Sequence, residues 1–248
     1  MRSLKIALIG YGKMGKEVEK MAISAGNEIV CKIDSPKDWL EQADNFQKAD
    51  VAIDFSTPLV VVDNIEHCFS AHKPIVVGTT GWQDRLTYFK NKAETEKQSF
   101  FYASNFSIGV SVFGSLVRFL SHAMDTQEQY TCQIEETHHI HKLDKPSGTA
   151  VTIAQLVLEE MKRYADWKLD PSTTELSIAA NMQTIPIHSK REGAVVGTHM
   201  VSFDSKEDNI QIIHTAKSRE GFALGAVRAA EWLMGKAGCF TMKDMLGF

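Results

Sequence analysis

The sequence has no long hydrophobic run. Its strictly apolar stretches end at four residues, as at Ile6–Ile9 and Leu59–Val62, against the roughly 18 that a transmembrane helix needs. No membrane association is therefore expected. Cysteine is scarce. Cys31, Cys68, Cys132 and Cys239 are scattered without a CxxC pair, which argues against a disulfide framework and against a cysteine-rich zinc site. Each reads as a small hydrophobe of the core. Positive charge is not in excess either. With 27 Lys+Arg against 31 Asp+Glu the formal net charge is −4, so a nucleic-acid-coating function is not expected, though a local cationic pocket remains compatible. Internal repeats and low-complexity tracts are missing. Met1-Arg-Ser-Leu-Lys leads straight into a short apolar run and then glycines, without the hydrophobic segment of a signal peptide. The expectation is a cytoplasmic protein with reduced thiols.

What is present has the proportions of a folded chain: 248 residues, 44% hydrophobic and 23% charged, enough for one large domain or two modest ones. Over the first hundred residues, short β-branched runs (5–9, 28–33, 51–55, 74–77, 99–103) alternate with helix-compatible stretches (13–25, about 37–47, 59–71, 83–97). Apolar strands that alternate with helices predict a parallel sheet covered on both faces. Ser56-Thr57-Pro58 reads as a capped helix start. After Asn105 the order changes. Helices at 109–123 and 149–163 accompany strand-like runs at 130–136, 175–180, 184–189, 197–203 and 210–215, and 222–233 is again helical. Consecutive strands predict an α+β unit with a mostly antiparallel sheet. The fold class is thus α/β, a Rossmann-type doubly wound sheet followed by a second α+β domain.

Gly10-Tyr11-Gly12-Lys13-Met14-Gly15 matches G-x-G-x-x-G between a strand and a helix. That context fits a dinucleotide site, in which glycines permit a tight turn, close approach of a pyrophosphate and close helix packing. Asp34, nineteen residues beyond Gly15, can accept hydrogen bonds from a ribose. It would repel a 2′-phosphate, which favours NADH, while Lys13 and Lys37 leave NADPH open. Gly78-Thr79-Thr80-Gly81 and Ala103-Ser104-Asn105-Phe106 end further strands and are candidates for the nicotinamide end.

The segment from Glu135 to Ala150 is dense in titratable side chains. His138 and Lys142 are four apart, a spacing that shares one face of a helix or of a strand. Both are suited to proton transfer or to stabilising developing negative charge. Ser147-Gly148-Thr149 opens a helix whose N–H groups could hold a carboxylate. A solvated loop, a metal site and a structural polar network compete with this reading. Without H-E-x-x-H or a Cys/His cluster, no metal is expected.

Glu136-Thr-His138-His139-Ile-His141-Lys142-Leu-Asp144-Lys-Pro146-Ser147-Gly148-Thr149-Ala150 resembles the signature segment of the 4-hydroxy-tetrahydrodipicolinate (dihydrodipicolinate) reductase family. Asp54-Phe55-Ser56, Gly78-Thr79-Thr80-Gly81, Ala103–Ser107, Arg191-Glu-Gly193 with Gly197-Thr-His199, and His214–Arg219 are similar to family segments in the same order. The resemblance implies an NADH- or NADPH-dependent reductase of diaminopimelate and lysine biosynthesis. His138 would be its catalytic acid/base and Lys142 its proton donor. His139, Gly148, Thr149 and Arg219 would hold a cyclic dicarboxylate. Gly10, Tyr11, Gly12, Lys13, Met14, Gly15, Asp34, Gly78, Thr79, Thr80, Ala103, Ser104, Asn105 and Phe106 would line the cofactor. It further implies a dinucleotide-binding domain over 1–106, a substrate-binding and oligomerisation domain over 107–216, returning helices over 217–248, and a homotetramer. Departures from the family pattern are a glycine loop one residue shorter with Lys13 in place of Arg, Ser35 in place of Arg after the acidic residue, and an abbreviated 35–50 stretch with a minimal or missing helical crossover. The rival readings are another two-domain nicotinamide oxidoreductase acting on a different small acid, and a non-catalytic dinucleotide sensor.

Overall fold

The computed structural model describes residues 3–170 and 183–248. In chain order the first elements are β1 (Lys5–Ile9), α1 (Lys13–Ser24), β2 (Glu28–Ile33), α2 (Pro36–Glu41), α3 (Ala43–Lys48), β3 (Val51–Asp54), α4 (Val61–Ser70), β4 (Ile75–Val77), α5 (Leu86–Thr95) and β5 (Ser99–Tyr102). Then follow α6 (Ile108–Met124), β6 (Thr131–His138), α7 (Gly148–Glu160), β7 (Asp166–Asp170), β8 (Thr184–Arg191), β9 (Gly197–Asp204) and β10 (Asn209–Ala216). The chain closes with α8 (Glu220–Leu233), β11 (Gly238–Phe240) and α9 (Met242–Leu246). The strand expected at 175–180 lies outside the described residues.

Two compact units result, one of Met1–Ser111 with Arg219–Phe248 and one of Val112–Ser218. The first holds a parallel sheet in the order β11-β5-β4-β3-β1-β2. Its strands are apolar on both sides because each side has its own core. Ile6, Leu8, Val51 and Ile53 pack with Val18, Ala223, Ala226 and Ala230 of α1 and α8. Ala7, Ile9, Ala52, Ile75 and Val77 pack with Ile65, Phe69, Phe89 and Trp82 on the other face.

One local expectation is corrected. The helix after β3 begins at Val61, with Val60 at its N-cap, and not at Ser56-Thr57-Pro58. The Ser56 hydroxyl instead donates to Asp54 Oδ1 at 2.8 Å, a stronger attachment than a cap because the acceptor is a buried carboxylate. The 35–50 crossover is present as two six-residue helices that meet at Gln42. Ser35 opens the first of them through a capping box with Asp38. β7 and β11 carry no long apolar alternation, and no strand was expected at either.

The second unit holds a sheet in the order β10-β9-β6-β8-β7. Among the described residues it is mixed: β10–β9 and β9–β6 are antiparallel, while β6–β8 and β8–β7 are parallel. α7 is the crossover between β6 and β7, which flank β8 and run the same way. One face of this sheet is apolar. Cys132 and Ile134 of β6, Ile185 and Ile187 of β8, and Val201 and Phe203 of β9 pack on Ala150, Ile153, Ala154 and Val157 of α7.

Candidate active site

Side chains alternate across a strand, so the residues that follow an inward apolar pair at spacing two also point inward. In β6 the sequence Cys132, Ile134 continues to Glu136 and His138, all buried. The same stripe continues from Ile185 and Ile187 to Ser189 and Arg191 in β8, and from Phe203 and Val201 to His199 and Gly197 in β9. The strand register then sets Glu136 beside Ser189 on one side and His199 on the other, His138 beside Arg191, and His214 beside His199. One end of the core is therefore a row of polar side chains that meets the start of α7.

Glu136 is the centre of the row. Its Oε1 accepts from the Ser147 N–H at 3.1 Å, the Ser189 hydroxyl at 2.8 Å and Nη2 of Arg191 at 3.1 Å. Its Oε2 lies 2.8 Å from His138 Nδ1, within hydrogen-bonding distance though outside hydrogen-bonding alignment. Burial is the largest single influence on this carboxyl and raises its pKa, but the hydrogen bonds from Ser147, Ser189 and Arg191 together hold it below its ordinary value. Burial also lowers His138, opposed by Glu136 and assisted by Lys142 and Arg191. His199 is pushed down to about 4, chiefly by burial and then by His138. Its Nε2 sits 3.2 Å from the Ser147 hydroxyl. At neutral pH both imidazoles are uncharged.

Glu136, His138 and His199 each offer a donor atom, and these lie within 4.8 Å of one another, a set that can also ligate a divalent cation. Here the Arg191 guanidinium already opposes the carboxylate, and Lys142 adds a second positive charge. That balance favours a hydrogen-bonded polar network over a metal centre.

His138 and Lys142 do not share a helix face or a strand face. β6 ends at His138, and Lys142 follows in a turn, its N–H donating to the His139 carbonyl at 3.1 Å. What fixes the turn is the end of β8. Arg191 donates from Nε to the Lys142 carbonyl at 3.2 Å and from Nη2 to the Asp144 carbonyl at 2.5 Å. The Lys142 ammonium pairs with Asp144 at 2.9 Å. Ser147 caps α7, its hydroxyl accepting from the Ala150 N–H at 3.2 Å. The N–H groups of Gly148 and Thr149 have no partner within the helix, and Gly148 is exposed. His139 is half-buried. Glu136, Ser189, Arg191 and His199 were not expected as site residues from the sequence, and Ser147 was expected only to open a helix. The usable signal was a polar residue at an inward position of a strand.

The first unit carries the dinucleotide candidates. Gly10 has φ +83°, and a Cβ there would stand 2.5 Å from the Phe55 carbonyl oxygen. At Gly15 a Cβ would stand 2.2 Å from the Gly10 oxygen, whereas around Gly12, the N-cap of α1, there is open space. The turn is thus tight where the chain needs it and open where a pyrophosphate would approach. Tyr11 donates its N–H to Asp34 Oδ1 at 2.6 Å, Lys13 is exposed and Met14 packs partly on the core. Thr79 is buried with its hydroxyl on Asp54 at 2.6 Å, so it holds its loop in place, while Gly78 is partly buried and Thr80 exposed. Ala103 and Phe106 are core residues. Ser104 is exposed, and Asn105 accepts from the Ser107 N–H at 2.9 Å. Phe106 and Thr79 could reach a cofactor only through their backbone. Arg219 is exposed at the N-cap of α8. The glycine turn, the open α1 start and Asp34 fit a nicotinamide dinucleotide.

Comparison with known proteins agrees with this geometry. The family models "Dihydrodipicolinate reductase, N-terminus" and "Dihydrodipicolinate reductase, C-terminus" match residues 4–106 and 109–246. A 4-hydroxy-tetrahydrodipicolinate reductase of Christiangramia forsetii is 48% identical over 244 residues, covering 98% of each chain. One from Staphylococcus aureus is 35% identical over 251 residues, covering 98% of this chain and all (100%) of that one. Among solved structures, a dipicolinate-bound dihydrodipicolinate reductase from a Paenisporosarcina species superposes with TM-score 0.77 over 98% of this chain and 99% of that one, at 24% identity, a likeness of fold. With both halves matched in order and whole-length relatives of this similarity, the chain belongs to the dihydrodipicolinate reductase family.

Proposed function

We propose that the chain reduces 4-hydroxy-tetrahydrodipicolinate to tetrahydrodipicolinate with NADH or NADPH, a step of diaminopimelate and lysine biosynthesis. The observation that carries this reading is the convergence of His138, the Lys142 turn and the start of α7 on one buried carboxylate, in a chain of this family. The Gly148 and Thr149 N–H groups, with His139 and Arg219, bind and orient a dicarboxylate. When bound, the reduced nicotinamide supplies the hydride. Lys142, which pairs with Asp144 at 2.9 Å, is the proton donor. His138, neutral by burial, offers an imidazole that accepts or relays a proton. Gly10–Gly15 and Asp34 hold the dinucleotide, with the backbone of 78–80 and 103–106 toward its nicotinamide end.

NADH is the preferred cofactor in this reading. The Asp34 and Ser35 N–H groups, which a 2′-phosphate could use, both donate to Asp38 Oδ2, at 2.9 and 2.8 Å. Lys37 is paired with Glu41 at 2.8 Å. No helix among the described residues is long and apolar enough to cross a membrane, compatible with a cytoplasmic enzyme. Ile213 of β10 is exposed on the sheet face away from α7, which supports assembly, as a homotetramer, through that face.

The test is a coupled assay with aspartate semialdehyde, pyruvate and the synthase that condenses them, following NADH and NADPH oxidation in parallel. Rapid oxidation only when the synthase is present is expected. Faster turnover of another small acid would favour a different reductase of this fold, and cofactor binding without turnover a sensor. Lys142→Ala should lower kcat about 100-fold or more with NADH affinity unchanged. Undiminished turnover removes Lys142 from the chemistry.

A further inference from the structure

Glu136 is given no chemical step in the mechanism above, yet its side chain is wholly out of solvent and it meets His138, Ser147, Ser189 and Arg191 directly. Resting on that mechanism, we propose that Glu136 is the positioning residue of the active site, its single carboxylate fixing the His138 tautomer, the start of α7 and, through Arg191, the turn that bears Lys142.

The two oxygens divide the work. Oε1 gathers Ser147, Ser189 and Arg191, which come from the helix start and from β8. Arg191 spends its other donors on the carbonyls of Lys142, Asp144 and Lys190. These bonds need a planar fork, which lysine lacks. Oε2 lies 2.8 Å from His138 Nδ1, out of hydrogen-bonding alignment, and neither buried atom has another hydrogen-bond partner among the described residues, so a small turn of the ring pairs them. An ionised carboxylate can only accept. A neutral imidazole opposite it therefore keeps its proton on Nδ1 and presents Nε2 as the acceptor. Nε2 in turn faces residue 197, where a Cβ would stand 3.0 Å away. Glycine at that position leaves the reactive edge of the ring uncovered.

A purely structural anchor would be served as well by an uncharged, apolar contact, since burying a carboxylate and a guanidinium together gains little stability over packed hydrophobes. The expense is explained if the charge specifies where a proton sits and where two catalytic side chains stand.

Glu136→Gln separates these roles. Its amide oxygen can still accept from Ser147, Ser189 and Arg191, while its NH2 group turns toward His138 Nδ1 and moves the imidazole proton to Nε2. We expect kcat to fall about 100-fold or more, toward the roughly 10⁴-fold loss of other enzymes whose supporting carboxylate sets a tautomer, with the NADH dissociation constant unchanged. In protein labelled with 15N-histidine, His138 Nδ1 should resonate as a protonated nitrogen in the wild type and an unprotonated one in the variant. Arg191→Lys should lower kcat through the turn and leave the tautomer as it was. The proposal is overturned if E136Q turns over at the wild-type rate, or if Nδ1 of the wild type carries no proton, a measurement that stands even if E136Q does not fold. The nitrogen spectrum needs no substrate, so a wild type inactive on 4-hydroxy-tetrahydrodipicolinate would sink the function and leave the positioning role to be judged by itself.

Discussion

In the proposed function, the choice between NADH and NADPH falls to Asp34 and Asp38. Asp34 accepts the Tyr11 N–H at 2.6 Å, and Asp38 takes the Ser35 hydroxyl at 2.9 Å together with two backbone N–H groups. Lys32 is held by Glu19 at 2.7 Å and by the Tyr11 hydroxyl at 2.9 Å. A 2′-phosphate would thus meet two carboxylates at a place whose donors are engaged, and like charges at such range repel. Titration by quenching of protein fluorescence should give NADH a dissociation constant about tenfold below that of NADPH, and Ser35→Arg should close the gap by about tenfold, roughly 1.4 kcal/mol. Equal affinities in the wild type would contradict the assignment. Asp34 was readable in the sequence from its distance to the glycine turn. Asp38 was not, because its part depends on a capping box whose helix start only the fold reveals.

The ends of strands, more than their middles, determine how the two sheets present chemistry. At the end of β3, the buried Asp54 accepts from the Ser56 N–H at 3.0 Å, Asn64 of α4 at 2.8 Å and Thr79 beyond β4 at 2.6 Å. One carboxylate thereby ties together the two loops that follow neighbouring strands. Asp54→Ala would leave those buried donors without an acceptor, at about 2–4 kcal/mol. Urea unfolding followed by fluorescence, with Trp39, Trp82 and Trp232 in the first unit, should register an earlier transition, and an unmoved midpoint would refute it. Asp54→Asn should be milder, since the Asn64 amide can turn over to match it. Strands β1 to β5 were legible from their apolar runs, and α1 from the glycines before it. The start of α4 was misread because Ser56-Thr57-Pro58 looks like a cap until a stronger acceptor at Asp54 is known. The spacing of His138 and Lys142 was read as regular structure, yet a turn pinned by Arg191 brings them together. That contact links residues 49 positions apart, beyond any local periodicity.

Acid should act on the two units in opposite ways. His199, held at about 4 against an ordinary 6.5, stays neutral in the folded state while the unfolded chain takes up a proton. Its contribution to stability is complete above about pH 6.5 and is lost as pH falls toward 4, amounting to roughly 3 kcal/mol. His138 and His214, also lowered by burial, act in the same direction. Glu136 lies below its ordinary 4.5, so its contribution disappears only at lower pH still. Asp54 in the first unit is raised by burial above 3.8, and its protonation on acidification relieves the fold. Hydrogen exchange at pH 7 and pH 5 should therefore show protection falling first in β6, β9 and β10, with β1 and β3 little changed. Uniform loss would contradict the linkage. A last consequence follows from the position of β11, which pairs with β5, and of α8, which supplies one core of the first sheet. Both are encoded after the entire second unit, so during synthesis the opening strands emerge on the ribosome with an unpaired border and an uncovered greasy side. A nascent chain released before Gly238 would retain an intact His138 row yet remain a target for chaperones, and the last thirty or so codons govern yield more than their small share of the length suggests.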